Sequence, residues 1–197
     1  MRRLVFFWAV LIMAGVGVLS AGEPEDTWMK AISSGTVKAA WVGIEQGQIV
    51  SHGLEVIRNA GNEGVLTVAN TGGQDIISVQ EPDPKYTGPQ FIYGNVPDWL
   101  RQVSRVEIVI EYFDAGPGTI SINYNATILE FSTASTPIIL TGTNRWRVAR
   151  IALLDAAFRK KVNGCDFRIL MNRKNFLVRT VAVLPLGELD KISANVH

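Results

Sequence analysis

The sequence predicts an all-β fold, an antiparallel β-sandwich or jelly roll, with one short helix near the N terminus. Short stretches in which apolar and polar residues alternate recur along the chain, and clusters of glycine, proline and asparagine separate them. Helical periodicity is scarce: a capped segment at 26–34 predicts the N-terminal helix, and 155–160 predicts one further turn capped by Asp155. Many short strands with such turns are typical of sandwiches.

The first 22 residues predict an export signal rather than a part of the fold. Arg2 and Arg3 precede a 16-residue apolar run from Leu4 to Leu19, and small residues follow at 20–22. The run is short for a membrane span, and this order of segments matches a secretory signal peptide. An uncleaved anchor is the alternative. We therefore expect a secreted, periplasmic or cell-surface protein without a membrane span after removal of the signal.

The remaining chain is long enough for one domain with its own hydrophobic core. We predict that 23–50 packs on the sandwich, that 51–186 forms the sandwich, and that 187–197 is a C-terminal tail. Cys165 is the single cysteine, so no intramolecular disulfide can support the fold. We expect its thiol to be buried and inert.

The clearest strand is Val106–Tyr112, in which alternate apolar residues share one face. Glu107 and Glu111 lie on the other face, which we expect to be solvated. A glycine-rich turn at 114–118 leads to a second alternating strand at 119–124. Further strands are predicted near 53–58, 65–69, 91–93, 128–131, 138–140, 146–151, 167–170 and 177–184.

Alternation in the 146–151 strand predicts that Trp146 lies in the core. In the strand at 167–170, the residues on either side of an inward Phe167 should point outward together. Asp166 and Arg168 are therefore expected to form a solvated pair. Asn123 and Asn125 flank Tyr124, which predicts two amides on the outer face of their strand.

Charge excludes some classes of function. The chain has 19 basic and 18 acidic side chains, which gives no field to attract nucleic acid. Its two histidines, His52 and His197, leave a histidine-rich metal site unsupported. Residues 23–140 carry 6 basic and 14 acidic side chains, and 141–197 carry 11 and 4. Strand pairing within the molecule explains this asymmetry, and a basic edge for acidic glycans is the alternative.

A series of motifs in a fixed order resembles a known family. An Asp-x-Gly-x-Gly turn at 114–118 follows the Tyr112-Phe113 pair, and a tryptophan strand, an Asp-x-x-Phe turn and an Asp-Phe-Arg-Ile strand come after it. These motifs occupy Phe91-Ile92-Tyr93, 109–118, Ile122-Asn123-Tyr124, Thr143-Asn144-Arg145-Trp146, 153–158 and 164–169.

The series is similar to the galactose-binding-like β-sandwich domains, also described as carbohydrate-binding-module-like, of secreted glycan-processing proteins. Phe113 and Cys165 depart from the pattern, where tyrosine and a small residue are common. The resemblance implies a non-catalytic protein that binds a polysaccharide. It also implies that one structural calcium ion is compatible with the fold, and no other cofactor is expected. We expect no attached catalytic domain.

The expected ligand site is a loop around Trp99, with Asp98 and Arg101 beside the ring and Tyr86 as a second aromatic. Exposed aromatic rings stack on sugar faces, and charged or amide groups bind hydroxyls. The alternative for Trp99 is a plug on the end of the core.

Two other functions remain open at this point. A jelly-roll glycan-active enzyme, a lyase or hydrolase, would need a base and a neutralising cation, which Tyr124 or Tyr112 with Arg147 or Arg150 would supply. No catalytic motif supports an enzyme, and we assign no catalytic residue. An adhesion or assembly module with a protein partner is the second alternative.

Overall fold

The structure is a computed structural model, and it describes residues 24–71, 73–81, 83–134, 136–172 and 176–194. The predicted signal at 1–22 lies outside the described residues. Across those residues, two antiparallel sheets form a sandwich, and the predicted fold class is confirmed. Three short α-helices and a 3-10 turn at Gly61–Glu63 accompany the sheets in the described residues. The α-helices are α1 (Pro24–Ser33), α2 (Asp98–Arg101) and α3 (Glu188–Ala194).

Within the described residues, sheet A has seven strands: β1 (Ala40–Glu45), β2 (Gln48–His52), β4 (Val65–Thr71), β5 (Gln74–Gln80), β7 (Val106–Asp114), β11 (Arg145–Leu153) and β13 (Phe176–Pro185). Strands β7 and β13 lie at its centre. Strand β11 pairs with one side of β7, and the far edge of β13 pairs with two hairpins, β1–β2 and β4–β5.

Sheet B lies over the inner face of sheet A. Its strands are β3 (Glu55–Val56), β6 (Gln90–Asn95), β8 (Pro117–Tyr124), β9 (Ser132–Thr133), β10 (Ile138–Thr141) and β12 (Phe167–Met171). The strand order is β10-β8-β12-β6-β3, and β9 pairs with the end of β8.

The main core lies between the sheets, where the alternating residues of β7 and β8 point inward as predicted. Burial of each such side chain stabilises the fold by about 1.5–3 kcal/mol. The core includes Ile108, Ile110 and Tyr112 from sheet A and Ile120, Ile122, Phe167 and Ile169 from sheet B.

The outer face of sheet A is not solvated throughout, because α1 and α3 cover one half of it. Trp28, Ile32 and Leu189 of the helices form a second apolar cluster with Val109 and Leu184 of the sheet. The predicted N-terminal helix is therefore present, and it covers an apolar stripe of the sheet.

Glu107 corrects the expectation of a solvated carboxylate face. It is 1% exposed, and its carboxylate accepts a hydrogen bond from Arg150 Nε at 2.7 Å. Arg150 Nη1 donates to Asp190 of α3 at 2.9 Å. Burial raises the pKa of Glu107 against the opposing effect of the Arg150 pair.

Strand β11 corrects the prediction for Trp146. Trp146 pairs with Phe113, and Ala149, Ile151 and Leu153 are the buried residues of this strand. Because side chains alternate, Trp146 faces outward with Val148. The helices bury part of this outer face, so both faces of β11 carry apolar residues and alternation could not identify the inner one.

Strand β1 lies within 23–50, the segment predicted to pack on the sandwich, and β2 begins in that segment and ends in the predicted sandwich segment. The predicted C-terminal tail includes α3. No helical turn forms at 155–160, and the predicted Asp155 cap is wrong.

Candidate functional site

The structure places the predicted Trp99, Asp98 and Arg101 together on α2, at one end of the sandwich. Trp99 is half-buried against the main core, and Lys38 Nζ lies 4.3 Å from its ring centroid. Asp98 is fully exposed, 3.5 Å from Arg101 Nε. The ring of Trp99 therefore has partners on the protein, and Asp98 is the one fully exposed residue of the three.

Protein acceptors hold the guanidinium of Arg101. It donates to Asp166 Oδ2 at 2.8 Å, to the Phe158 carbonyl at 3.2 Å and to the Val96 carbonyl at 3.3 Å. Asp166 is fully buried and also accepts from the Val96 and Lys160 backbone N–H groups. The predicted outward pair is wrong, because Asp166 turns into the protein to satisfy Arg101 and two loops.

Tyr86 lies elsewhere, beside the outer face of sheet B. Its hydroxyl donates to the Pro89 carbonyl at 3.3 Å. Burial, followed by the nearby Glu63 carboxylate, raises the pKa of Tyr86. None of its described contacts involves Trp99, Asp98 or Arg101, so the structure does not bring the four predicted residues into one site.

A polar network with Arg168 at its centre occupies the outer face of sheet B. The guanidinium lies between the Phe91 ring at 4.2 Å and the Phe131 ring at 4.9 Å. Arg168 Nε donates to Asn123 Oδ1 at 2.9 Å, and Nη1 donates to the Tyr93 hydroxyl at 3.3 Å. Asn123 lies on the outer face as predicted.

The same network satisfies its own polar groups. The Tyr93 hydroxyl donates to Glu63 and accepts from Asn163, and the Asn123 amide donates to Thr133. A ligand on this face would have to break existing hydrogen bonds.

Asn125 is a structural residue, not an outward amide. It is 1% exposed, and its Oδ1 accepts from the backbone N–H groups of Arg159 and Lys161 at 2.9 Å each. Its Nδ2 donates to the Glu130 carbonyl. Asn125 therefore joins two loops at one end of the sandwich.

A pocket lies where α1 meets the uncovered half of sheet A. Its volume is about 340 Å³, within the usual range for small-ligand sites. The lining combines an indole with hydroxyl, ammonium and apolar groups. We call it the Trp41 pocket, and it is lined by Met29, Lys30, Ile32, Ser33, Trp41 and Thr180.

Two neighbours fix the indole of Trp41. The His52 ring stacks on it with centroids 4.0 Å apart and planes 12° apart, and His52 Nε2 lies 2.6 Å from Glu45 Oε1. Gly43 provides the space beside it, because a Cβ there would lie 2.9 Å from an indole carbon. His52 does not line the pocket, so it supports the indole from outside.

A second aromatic group lies on the same outer face, beyond Thr180. Thr180 pairs with Glu111, whose carboxylate accepts from Arg179 Nη1 at 2.9 Å. The Arg179 guanidinium lies 3.9 Å from the Trp146 ring centroid, and Trp146 contacts Phe113. The uncovered half of sheet A thus carries two tryptophans and an ion pair.

The tyrosines considered for an enzyme lie in the core. Tyr112 stacks on Phe176. Tyr124 is 6% exposed and donates to Asp155 at 2.7 Å. Burial and this hydrogen bond raise the pKa of Tyr124 to about 12, so its hydroxyl is a poor base near neutral pH. Arg150 is engaged with Glu107 and Asp190.

Among the described residues, no group of three or more His, Cys, Asp or Glu side chains is placed to hold a metal ion. Cys165 is buried, and burial raises the pKa of its thiol.

In the described part of the chain, no helix is long and apolar enough to cross a membrane.

Sequence reasoning missed the Trp41 pocket. Trp41 and His52 lie on adjacent strands whose pairing was not predicted, and residues of α1 complete the site from a different element. The sequence did contain one signal: Gly43 stands two residues from Trp41 on the same face of β1, where an aromatic ring can lie over a glycine.

Comparisons with known proteins give a likeness to a solved structure. No protein-family model matches the chain, and a search of curated proteins found no match. Among solved structures, the chain is similar to CBM28, a carbohydrate-binding module specific for non-crystalline cellulose. The TM-score is 0.35 and the identity is 13%, over 67% of this chain and 84% of the module.

Proposed function

We propose that this protein is an exported, non-catalytic carbohydrate-binding protein that binds a polysaccharide in the Trp41 pocket. The observation that carries the proposal is an indole fixed by His52 at the wall of a pocket that also presents Ser33, Thr180 and Lys30. Aromatic walls bind the apolar faces of sugars, and fixed polar groups orient the hydroxyls.

The position of the pocket suits a chain rather than a single sugar. Trp146 and the Glu111–Arg179 pair lie on the same open half of sheet A, beyond Thr180. A polysaccharide that fills the pocket can continue across this surface. Because sugars are well hydrated and gain little free energy per atom, we expect dissociation constants on the order of 10–1000 μM.

The Trp99 loop is the competing site. The proposal favours Trp41 because its indole lines the pocket, which Trp99 does not, and because three protein acceptors already hold the Arg101 guanidinium. Two variants separate the sites: Trp41→Ala and Trp99→Ala, each compared with the parent by affinity electrophoresis in gels that contain a panel of soluble polysaccharides.

We expect the parent and Trp99→Ala to be retarded by the same glycan, and Trp41→Ala to lose the retardation. Lys30→Ala, at an exposed position of α1, should weaken binding without affecting folding. Retardation that survives Trp41→Ala and disappears in Trp99→Ala would assign the site to α2. If no glycan retards the parent, the carbohydrate proposal is wrong.

Export is a separate part of the proposal and needs its own test. N-terminal sequencing of secreted or periplasmic material should begin near Glu23. A chain that keeps Met1 and remains in the membrane fraction would support the uncleaved anchor.

A further inference from the structure

A cluster of apolar side chains projects from the end of the sandwich where β8 and β11 terminate. Ile128 is 90% exposed, and its neighbour Leu129 is 57% exposed. Single exposed apolar residues are common on protein surfaces, but clusters mark interaction sites. We call this cluster the apolar tip, and it consists of Ile128, Leu129 and Leu154. The nearby Phe131 packs on Arg168 and is not part of it.

The two loops that carry the apolar tip are joined to each other. The Thr127 backbone N–H donates to the Asp155 carbonyl at 2.8 Å, and Ala126 forms a β-bridge with Ala156. The Asn125 side chain adds three hydrogen bonds. It donates one to the Glu130 carbonyl and accepts two from backbone N–H groups of the loop at 159–161. The protein therefore holds the apolar side chains in solvent by a defined set of contacts.

Three consecutive basic residues lie beside the apolar tip. Arg159, Lys160 and Lys161 are all exposed, and we call them the basic collar. Arg159 Nη2 lies 3.5 Å from the Thr127 carbonyl, which places its charge next to Ile128. Lys161 Nζ lies 3.6 Å from Glu130.

The backbone of the collar is held in an unfavourable conformation. Lys160 has a φ of 58°, in the left-handed region that non-glycine residues rarely adopt. The buried Asp166 carboxylate accepts from its N–H at 2.9 Å. This arrangement keeps the basic side chains at a fixed position beside the tip.

We propose that the apolar tip inserts into the surface of an anionic lipid bilayer while the basic collar contacts the headgroups. The apolar side chains of the tip are 57% or more exposed and basic side chains adjoin them, so the hydrocarbon and the phosphate groups of an anionic bilayer each have a partner on this surface. Lysine is depleted at protein–protein interfaces, whereas apolar residues beside basic ones suit an anionic membrane surface. None of these residues lines the Trp41 pocket, so the two proposals are independent.

The test must report on the tip itself, because the apolar run at Leu4–Leu19 can bind membranes on its own. Ile128→Cys in the full chain provides an attachment point for an environment-sensitive fluorophore, and the native Cys165 is buried. The matched control is Ile139→Cys, which replaces an apolar residue that is 61% exposed on β10.

With vesicles that contain roughly one third phosphatidylglycerol, the fluorophore at position 128 should shift to the blue and resist iodide quenching. The fluorophore at position 139 should remain in water. Neutral phosphatidylcholine vesicles and high salt should reduce the shift, because the collar acts through screened charge. Replacing all three collar residues by glutamine should raise the vesicle concentration needed for half of the blue shift at least tenfold.

The proposal is wrong if position 128 stays as accessible to iodide as position 139 on anionic vesicles. It is also wrong if the blue shift appears without vesicles and grows with protein concentration. That outcome would identify the tip as a contact between copies of the chain.

Discussion

The Asp166 carboxylate accepts a hydrogen bond from Arg101 Nη2 at 2.8 Å, across 65 residues of sequence. Asp166 is fully buried, and the Arg101 side chain is 23% exposed. Together they fix α2 to the start of β12. A charged residue predicted to bind ligand thus forms part of the fold.

Asp166→Asn should destabilise the protein strongly. The change removes the buried carboxylate that pairs with Arg101 and leaves only the exposed Asp98 near the guanidinium, and breaking a buried pair costs about 3–5 kcal/mol. Asp98→Asn is the matched control, because that carboxylate is fully exposed and should have almost no effect. Urea unfolding measures both, and equal midpoints for the two variants would show that Asp166 does not hold α2.

Asp114 should make stability depend on pH in acid. Burial opposes its ionisation, but N–H groups of Gly142 and Thr143 and hydroxyls of Thr143 and Thr141 lower its pKa from 3.8 to about 2. A lowered folded-state pKa gives stability that is present above the unfolded pKa and is lost as pH falls. We expect a loss of about 2 kcal/mol between pH values of about 5 and 2.

Urea unfolding of the parent and of Asp114→Asn at several pH values isolates this contribution. The difference in unfolding free energy between the two proteins should shrink as the pH falls through that window. A difference that stays constant would mean that the Asp114 pKa is not lowered.

Trp146 and Phe167 should respond differently to truncation. Trp146 is half-buried on the outer face, so Trp146→Ala should cost about 1–2 kcal/mol, less than the 3–5 typical of large buried aromatics. Phe167→Ala, at a fully buried position, should reach that higher range. Thermal unfolding distinguishes the two variants. An equal loss of stability in both would mean that Trp146 lies in the core after all.

Gly43→Ala should impair the proposed glycan site more than the fold. An added Cβ would lie 2.9 Å from a Trp41 ring carbon, so the indole must move away from its place beside His52. We expect about a tenfold loss in glycan affinity with a stability loss of about 1 kcal/mol, measured by calorimetry and by thermal unfolding. Unchanged affinity would show that the position of the indole does not matter.

The sequence predicted the fold well because alternation and turn residues are local signals. Val106–Tyr112 shows the strength of this reasoning, since one face of that strand does lie in the main core. The same reasoning failed on β11, where helices bury the outer face and Trp146 was assigned to the wrong side.

The candidate site was less predictable because it depends on contacts between distant segments. Trp41 meets residues of α1 and β13 in one pocket, and Thr180 is far from both in sequence. The partners of Arg101 likewise come from three separate segments. Residue type indicated aromatic and charged groups but not which of them the fold would use.

The most direct test of the carbohydrate proposal is to observe the tryptophan indole N–H signals by NMR while a polysaccharide that retards the protein is added. In the protein without residues 1–22, which include Trp8, single substitutions assign the signals of Trp28, Trp41, Trp99 and Trp146. The account predicts that the Trp41 signal moves, with a smaller change at Trp146, and that the Trp99 signal stays in place. Movement of Trp99 with Trp41 unchanged would contradict it.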